Sequence, residues 1–148
     1  MIFKKTTDVN AFFNILPDDW KEGILPFWDS FKSTTDCYII SENDTIIAGG
    51  LVFSTCPPDM KYAKNEANFW LKNGYLYLGF IFVLEEKRGK YLGSFWLENL
   101  KKTLPKEQFW LTIEVLHLGS FYSRNGFKRV KSIFNEGIEE VLYIFENH

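Results

Sequence analysis

The residues best placed to do chemistry lie just past the most apolar run of the chain. Residues 75–84 are uniformly apolar, break into Glu85-Glu86-Lys87, and continue as Arg88-Gly89-Lys90-Tyr91-Leu92-Gly93-Ser94 before a helical pattern begins. A buried strand, a loop rich in small and basic residues and a helix N-terminus make an anion site, because unpaired backbone N–H groups and the positive end of the helix dipole converge there. Phosphate is its natural guest. A solvated turn would carry the same charges, and position at a strand-to-helix loop is what favours the phosphate reading for Lys87, Arg88 and Lys90.

The elements that hold this loop can be read in chain order. Residues 1–5 suit a first strand. Val9, Phe12, Phe13 and Leu16 repeat at helical spacing behind the candidate cap Asp8, and Pro17 ends that helix. Asp18 and Asp19 open a second helix with an apolar stripe of Trp20, Ile24, Phe27, Trp28 and Phe31, kinked or broken at Pro26. Residues 37–40 and 45–54 read as a hairpin across Glu42-Asn43-Asp44, with Gly49-Gly50 marking a bulge or a close backbone approach. Cys56-Pro57-Pro58 stops it. Residues 59–73, carrying Phe69-Trp70-Leu71, are too long for a hairpin turn and suit a short helix or a flap on the substrate side.

The central strand, residues 75–84, is followed by a helix to Leu104, a strand over residues 108–116 and a short helix over residues 118–125 ended by Gly126. A last hairpin, residues 127–134 with 140–145, closes the chain across Asn135-Glu136-Gly137. His148 is terminal and is expected to be disordered. The order predicts an α/β (α+β) protein: a mixed, mostly antiparallel sheet of six to seven strands with helices on both faces.

Composition narrows the class. A length of 148 residues suits one domain, residues 1–148, with a sizeable core, and a net charge of -2 offers no global field for nucleic acid or an anionic membrane. The longest apolar run is well short of the ~20 residues a membrane span needs. Cys37 and Cys56 show no CxxC spacing and no signal peptide stands at the N-terminus, which points to a reduced cytoplasmic home and no metal.

Two motifs give the element order an owner. Arg88-Gly89-Lys90-Tyr91-Leu92-Gly93 resembles the pyrophosphate loop Q/R-x-x-G-x-G/A of the GNAT superfamily of acyl-CoA-dependent N-acyltransferases. Phe121-Tyr122-Ser123-Arg124-Asn125-Gly126-Phe127 resembles its F/L-Y-x-x-x-G-F segment. The resemblance covers nearly the whole chain. It departs at Tyr91, which replaces the first loop glycine and is tolerated if its φ is helical, at Val115 and Leu118, where an Asn and a small residue are usual, and at Tyr77, where some members carry a Glu.

The resemblance implies acetyl transfer from acetyl-CoA to a primary amine of a small molecule or peptide by direct attack in a ternary complex. Its alternative is an acyl-CoA-binding or sensor domain that has lost turnover. It further implies that the central strand splays from its neighbour, that backbone around Phe82, Val83 and Leu84 holds the pantetheine arm, and that Arg88 through Ser94 hold the pyrophosphate. An attacking amine needs its proton removed and a departing thiolate needs an acid. Tyr122 is the acid candidate, since a phenol keeps its proton at neutral pH. Residues 75–84 contain no carboxylate, so Glu114 and His117 are the nearest base candidates, although Glu114 reads more readily as a solvated or ion-paired strand carboxylate and His117 as a loop imidazole bonded to backbone or solvent. Phe69 and Trp70 are the candidate acceptor wall with Tyr77, whereas Trp20 and Trp28 are assigned to the core. The strand over residues 141–145 offers an edge for a homodimer.

Overall fold

The computed structural model describes residues 1–147, and His148 lies outside the described residues. Strand β1 (Ile2–Thr6) leads into α1 (Val9–Phe13), α2 (Asp18–Ile24) and α3 (Trp28–Phe31), then the hairpin β2 (Thr35–Glu42) and β3 (Thr45–Phe53). A 3-10 turn (Pro58–Ala63) and α4 (Lys64–Lys72) precede the central strand β4 (Tyr75–Val83). Helix α5 (Leu92–Thr103), β5 (Gln108–Ile113), α6 (Leu118–Arg124) and the hairpin β6 (Lys128–Asn135) and β7 (Ile138–Phe145) complete the chain.

The sequence patterns explain most boundaries. Pro26 splits the expected second helix, because a proline cannot donate to the preceding turn, and a 3-10 turn (Leu25–Phe27) separates α2 from α3. Asp8 stands at the N-cap of α1 but its side chain makes no capping bond. The segment ahead of the central strand is helical rather than a flap. Strand β5 stops at Ile113, three residues earlier than the apolar alternation suggested, and the next four residues form a loop.

Seven strands form one sheet in the order β1-β2-β3-β4-β5-β7-β6, with every neighbouring pair antiparallel except β4 and β5. That parallel pair is short: Tyr75, Leu76 and Tyr77 meet Gln108, Phe109 and Trp110, and the ladder then ends while both strands continue. The splay lies there. Strand β7 is bonded on both sides, to β5 and β6, so it offers no edge for the dimer pairing expected of it. The outer strand on that side is β6, which carries Lys128, Arg129 and Lys131, a charged edge that discourages strand addition.

A bulge sits beside the splay. Gly49 pairs with Phe82 and Leu51 with Gly79, so Phe80 and Ile81 together stand opposite Gly50, and Phe80 takes a left-handed φ of 55°. The extra residue is on β4, across from the Gly49-Gly50 pair that sequence had marked. It also reverses the side-chain alternation: Tyr77, Phe80 and Phe82 share the face packed by α1 and α2, while Leu78, Ile81 and Val83 share the face packed by α5 and α6.

Helix α5 seals the second face with Leu92, Trp96, Leu97 and Leu100, each contributing about 1.5–3 kcal/mol of apolar burial. The Trp96 indole N–H donates to the Tyr38 carbonyl at 3.0 Å, which fixes helix to sheet and holds the ring over Gly50. A Cβ at Gly50 would lie 2.7 Å from that ring. No helix among the described residues is long and apolar enough to cross a membrane. Gly50→Ala should therefore destabilise by about 1–3 kcal/mol through overpacking against Trp96, read as a lower urea midpoint at unchanged slope.

Candidate active site

A cleft of about 420 Å³ opens where β4 and β5 part. Tyr77 through Ile81 form one wall, Leu111 through Val115 the other, and Trp20 of α2 and Tyr122 of α6 reach in from opposite sides of the sheet. Because the ladder ends at Tyr77 and Trp110, the β4 backbone beyond it has an edge that β5 does not use.

Tyr122 is held by aromatic neighbours. Its ring lies 5.0 Å from Phe121, 5.6 Å from Phe127 and 6.3 Å from Tyr143, and the residue is 7% exposed. Its hydroxyl has no hydrogen-bond partner among the described residues, although it lines the cleft. Burial pushes its pKa up to about 12, so the phenol keeps its proton throughout the physiological range.

The base candidates separate. Glu114, just past the end of β5, lines the cleft. His117 is exposed at the start of α6, where its carbonyl accepts from the Ser120 hydroxyl at 3.3 Å, and it does not line the cleft. Sequence reading missed a further carboxylate, Asp59, in the 3-10 turn after Pro58. The buried Tyr77 hydroxyl donates to Asp59 Oδ2 at 3.1 Å, and the Tyr77 ring packs 4.6 Å from Trp110. Asp59 is exposed as a whole residue, yet its carboxylate is crowded by protein atoms at the cleft wall. That crowding raises its pKa to about 6 against the Tyr77 hydrogen bond, and the charge of Glu140 adds to the rise. Glu140 accepts from the Thr112 hydroxyl at 3.1 Å and lines the same cleft. No local spacing announces Asp59 and Tyr77 as partners, since they lie 18 residues apart.

The aromatic expectations redistribute. Phe69 is exposed on α4 and does not line the cleft. Trp70 packs edge-on against Tyr75 at 5.0 Å and donates to Glu66 at 2.9 Å, also away from the cleft. Trp20, expected in the core, packs partly buried against it and also lines the cleft, edge-on to Phe80 and Phe82 at 6.2 and 5.5 Å. Trp28 packs on Phe13 at 5.2 Å.

At the loop before α5, Gly89 takes φ 77° and Tyr91 takes φ 61°, so Tyr91 occupies the left-handed conformation that glycine accepts without strain, not a helical one. Its side chain is 86% exposed and points off the protein, and no side chain caps the N–H groups of the first turn of α5. Gly93 lets Phe121 approach to 2.9 Å of where a Cβ would be, and Ser94 Oγ accepts from Asn125 Nδ2 at 3.1 Å, so the two motifs meet. The basic cluster is partly engaged: Lys87 pairs with Glu42 at 2.8 Å, and Arg88 Nε donates to the Val83 carbonyl at 3.1 Å with its guanidinium over Phe82. Leu84 N–H donates to the Ile47 carbonyl at 2.9 Å. Lys90 and Leu92 complete the loop.

Folded Asp59 holds its proton up to about 6, whereas an ordinary aspartate releases it near 3.8, so the folded state binds more protons in that window and stability falls as pH rises through it. Asp59→Asn keeps an acceptor for Tyr77 and removes the charge. It should raise Tm at neutral pH, by less than the full shift because the cleft admits water, and have little effect below the lower value.

The geometry has close counterparts among solved structures, at identities that speak only for the fold. A Desulfovibrio desulfuricans protein assigned to the GNAT family of acetyltransferases superposes with a TM-score of 0.70 at 15% identity over 99% of both chains. An aminoglycoside 6'-N-acetyltransferase complexed with coenzyme A gives 0.70 at 12% over 97% of this chain and 96% of its own. A Bacillus subtilis acetyltransferase in complex with CoA gives 0.65 at 15% over 97% of each. No significant match was found among curated proteins. The sequence profile of the acetyltransferase (GNAT) family matches residues 9–127, from α1 to the end of the Phe121 segment, and with the splayed sheet and the loop before α5 it places this chain in that family.

Proposed function

We propose that residues 1–148 act as one domain that transfers an acetyl group from acetyl-CoA to a primary amine of a small molecule or peptide, by direct attack in a ternary complex. The observation that carries this reading is the unpartnered hydroxyl of the buried residue Tyr122, which opens onto a cleft where β4 and β5 part. The coenzyme A held by two of the similar structures supports the donor.

The residues present fit that donor. The uncapped first turn of α5, from Leu92 through Ser94, with Gly89, Lys90 and Tyr91 ahead of it, suits the pyrophosphate, and Arg88 ties this loop to the end of β4. The backbone edge of β4 at Phe82 and Val83 suits the pantetheine amides. Acetyl-CoA supplies the thioester carbon, at which the C–N bond forms as the C–S bond breaks and the thiolate leaves.

Two protons leave the attacking ammonium nitrogen. A cleft carboxylate, Glu114, accepts the first and passes it to solvent; Tyr122 protonates the thiolate and regains its proton from the nitrogen. His117, outside the cleft, has no part in this scheme. Both cysteines are free thiols and burial raises the pKa of each, which suits a reducing cytoplasm without a redox role.

The second reading, an acyl-CoA-binding domain without turnover, is favoured by Tyr91 in the glycine position of the loop. Thiol release from acetyl-CoA against a panel of amines separates the two, since CoA binding without amine-dependent release leaves the second. Tyr122→Phe should lower kcat about 100-fold or more while calorimetric affinity for acetyl-CoA is kept. Arg88→Ala should weaken that affinity by freeing the loop from Val83, and unchanged affinity would count against this loop as the phosphate site.

A further inference from the structure

We infer that the acceptor carries a second positive charge besides the amine that is acetylated, a diamine or polyamine whose distal ammonium is held at Asp59 and Glu140. The inference rests on the acetyltransferase reading and deepens it.

Four carboxylates line the cleft, Asp19, Asp59, Glu114 and Glu140, and no Lys, Arg or His does. The chain has 17 Lys and Arg, and six ion pairs form elsewhere on the surface, yet none of these four carboxylates is in one among the described residues. Their partners are neutral: Tyr77 donates to Asp59 and Thr112 to Glu140. Neutral donors aim a carboxylate without cancelling its charge, so the field in the cleft stays negative.

The carboxylates also act on one another. The charge of Glu140 adds to the burial that opposes ionisation of Asp59. Among the described residues no group of His, Cys, Asp and Glu stands close enough to hold a metal ion. Charges spread along a cleft suit an extended organic cation rather than a single ion.

A second, independent observation fixes which end reacts. Tyr122, 7% exposed and without a hydrogen-bond partner, enters the cleft from the α5 and α6 face. Tyr77, which holds Asp59, is on the α1 and α2 face. The phosphate loop opens α5, so donor and acid lie on one side of the splay and the acidic pair on the other. An acceptor entering from the acidic side would leave one ammonium between Asp59 and Glu140 and carry its reacting nitrogen through the gap toward Tyr122.

The test uses the intact protein with saturating acetyl-CoA, 1,4-diaminobutane and its matched monoamine, 1-aminobutane. The kcat/KM for the diamine should exceed that for the monoamine by about 100-fold, as expected when one substrate satisfies a charged site that the other leaves empty. Added salt should reduce the ratio, and Glu140→Gln should collapse it chiefly by raising KM for the diamine. Equal kcat/KM values, or preference for the monoamine, would overturn the inference while leaving acetyl transfer intact. If neither amine releases thiol, calorimetry with 1,4-diaminobutane decides: salt-sensitive binding supports the cation site, and no binding overturns it.

Discussion

One added residue in β4 governs the rest of the molecule. With Phe80 and Ile81 both opposite Gly50, the side chains of the strand change face just past Tyr77, where the ladder to β5 ends. A regular strand would have continued the alternation of Tyr77 and Leu78, sending Phe80 and Phe82 toward α5 and into the space of Trp96. The bulge instead sets both rings beside Trp20 on the first face and leaves Ile81 and Val83 to meet the core under α5. The left-handed φ of Phe80 is a local cost, held in place because Gly50 yields room to Trp96 and Gly79 yields room to the Tyr77 ring. Glycine at each of these positions is what lets helix, bulge and cleft wall coexist.

The splay separates two electrostatic environments by the thickness of a sheet. On one side the loop before α5 gathers Arg88, Lys90 and uncapped N–H groups. On the other, Asp59 and Glu140 are aimed by hydroxyls and left without cations. Such an acidic cluster works against folding, because burial and mutual repulsion disfavour the charged forms. Its persistence beside a buried and unpaired phenol is the pattern of a site that gives up stability for binding.

Much of this fold was legible because its signals are local. A helical pattern announced α1 and α5, alternation announced β5, and Pro26 and Gly126 marked real boundaries. The Phe121 segment was legible through its resemblance to the family's F/L-Y-x-x-x-G-F pattern, a contiguous run whose Tyr122 meets Phe127 and Tyr143 of β7. The bulge was legible only as a glycine pair, and it fell on the opposite strand because glycines mark where backbones crowd, not which strand holds the extra residue. The central place of β7 was not legible, since a last strand can lie at an edge or be inserted, and only the β5–β7 ladder decides. Phe69 and Trp70 drew attention as exposed aromatics on a polar segment, yet α4 turns Trp70 toward Tyr75 and Glu66. Asp59 was hidden because its meaning depends on a strand residue 18 positions away.

The exchange of a strand carboxylate for Tyr77 has a physical logic. The residue is 3% exposed and sits on the Trp110 ring, so a carboxylate there would lose its hydration and stay protonated near neutral pH. A tyrosine at that place needs no ionisation. Its length carries a hydroxyl to the cleft wall, where it donates to a carboxylate rooted outside the sheet and reachable by water. Burial pulls the Asp59 pKa up, the Tyr77 bond pulls it down, and the balance near 6 leaves Asp59 ionised at neutral pH but only a short step from protonation. A group poised in this way can hold a cation or accept a proton from one.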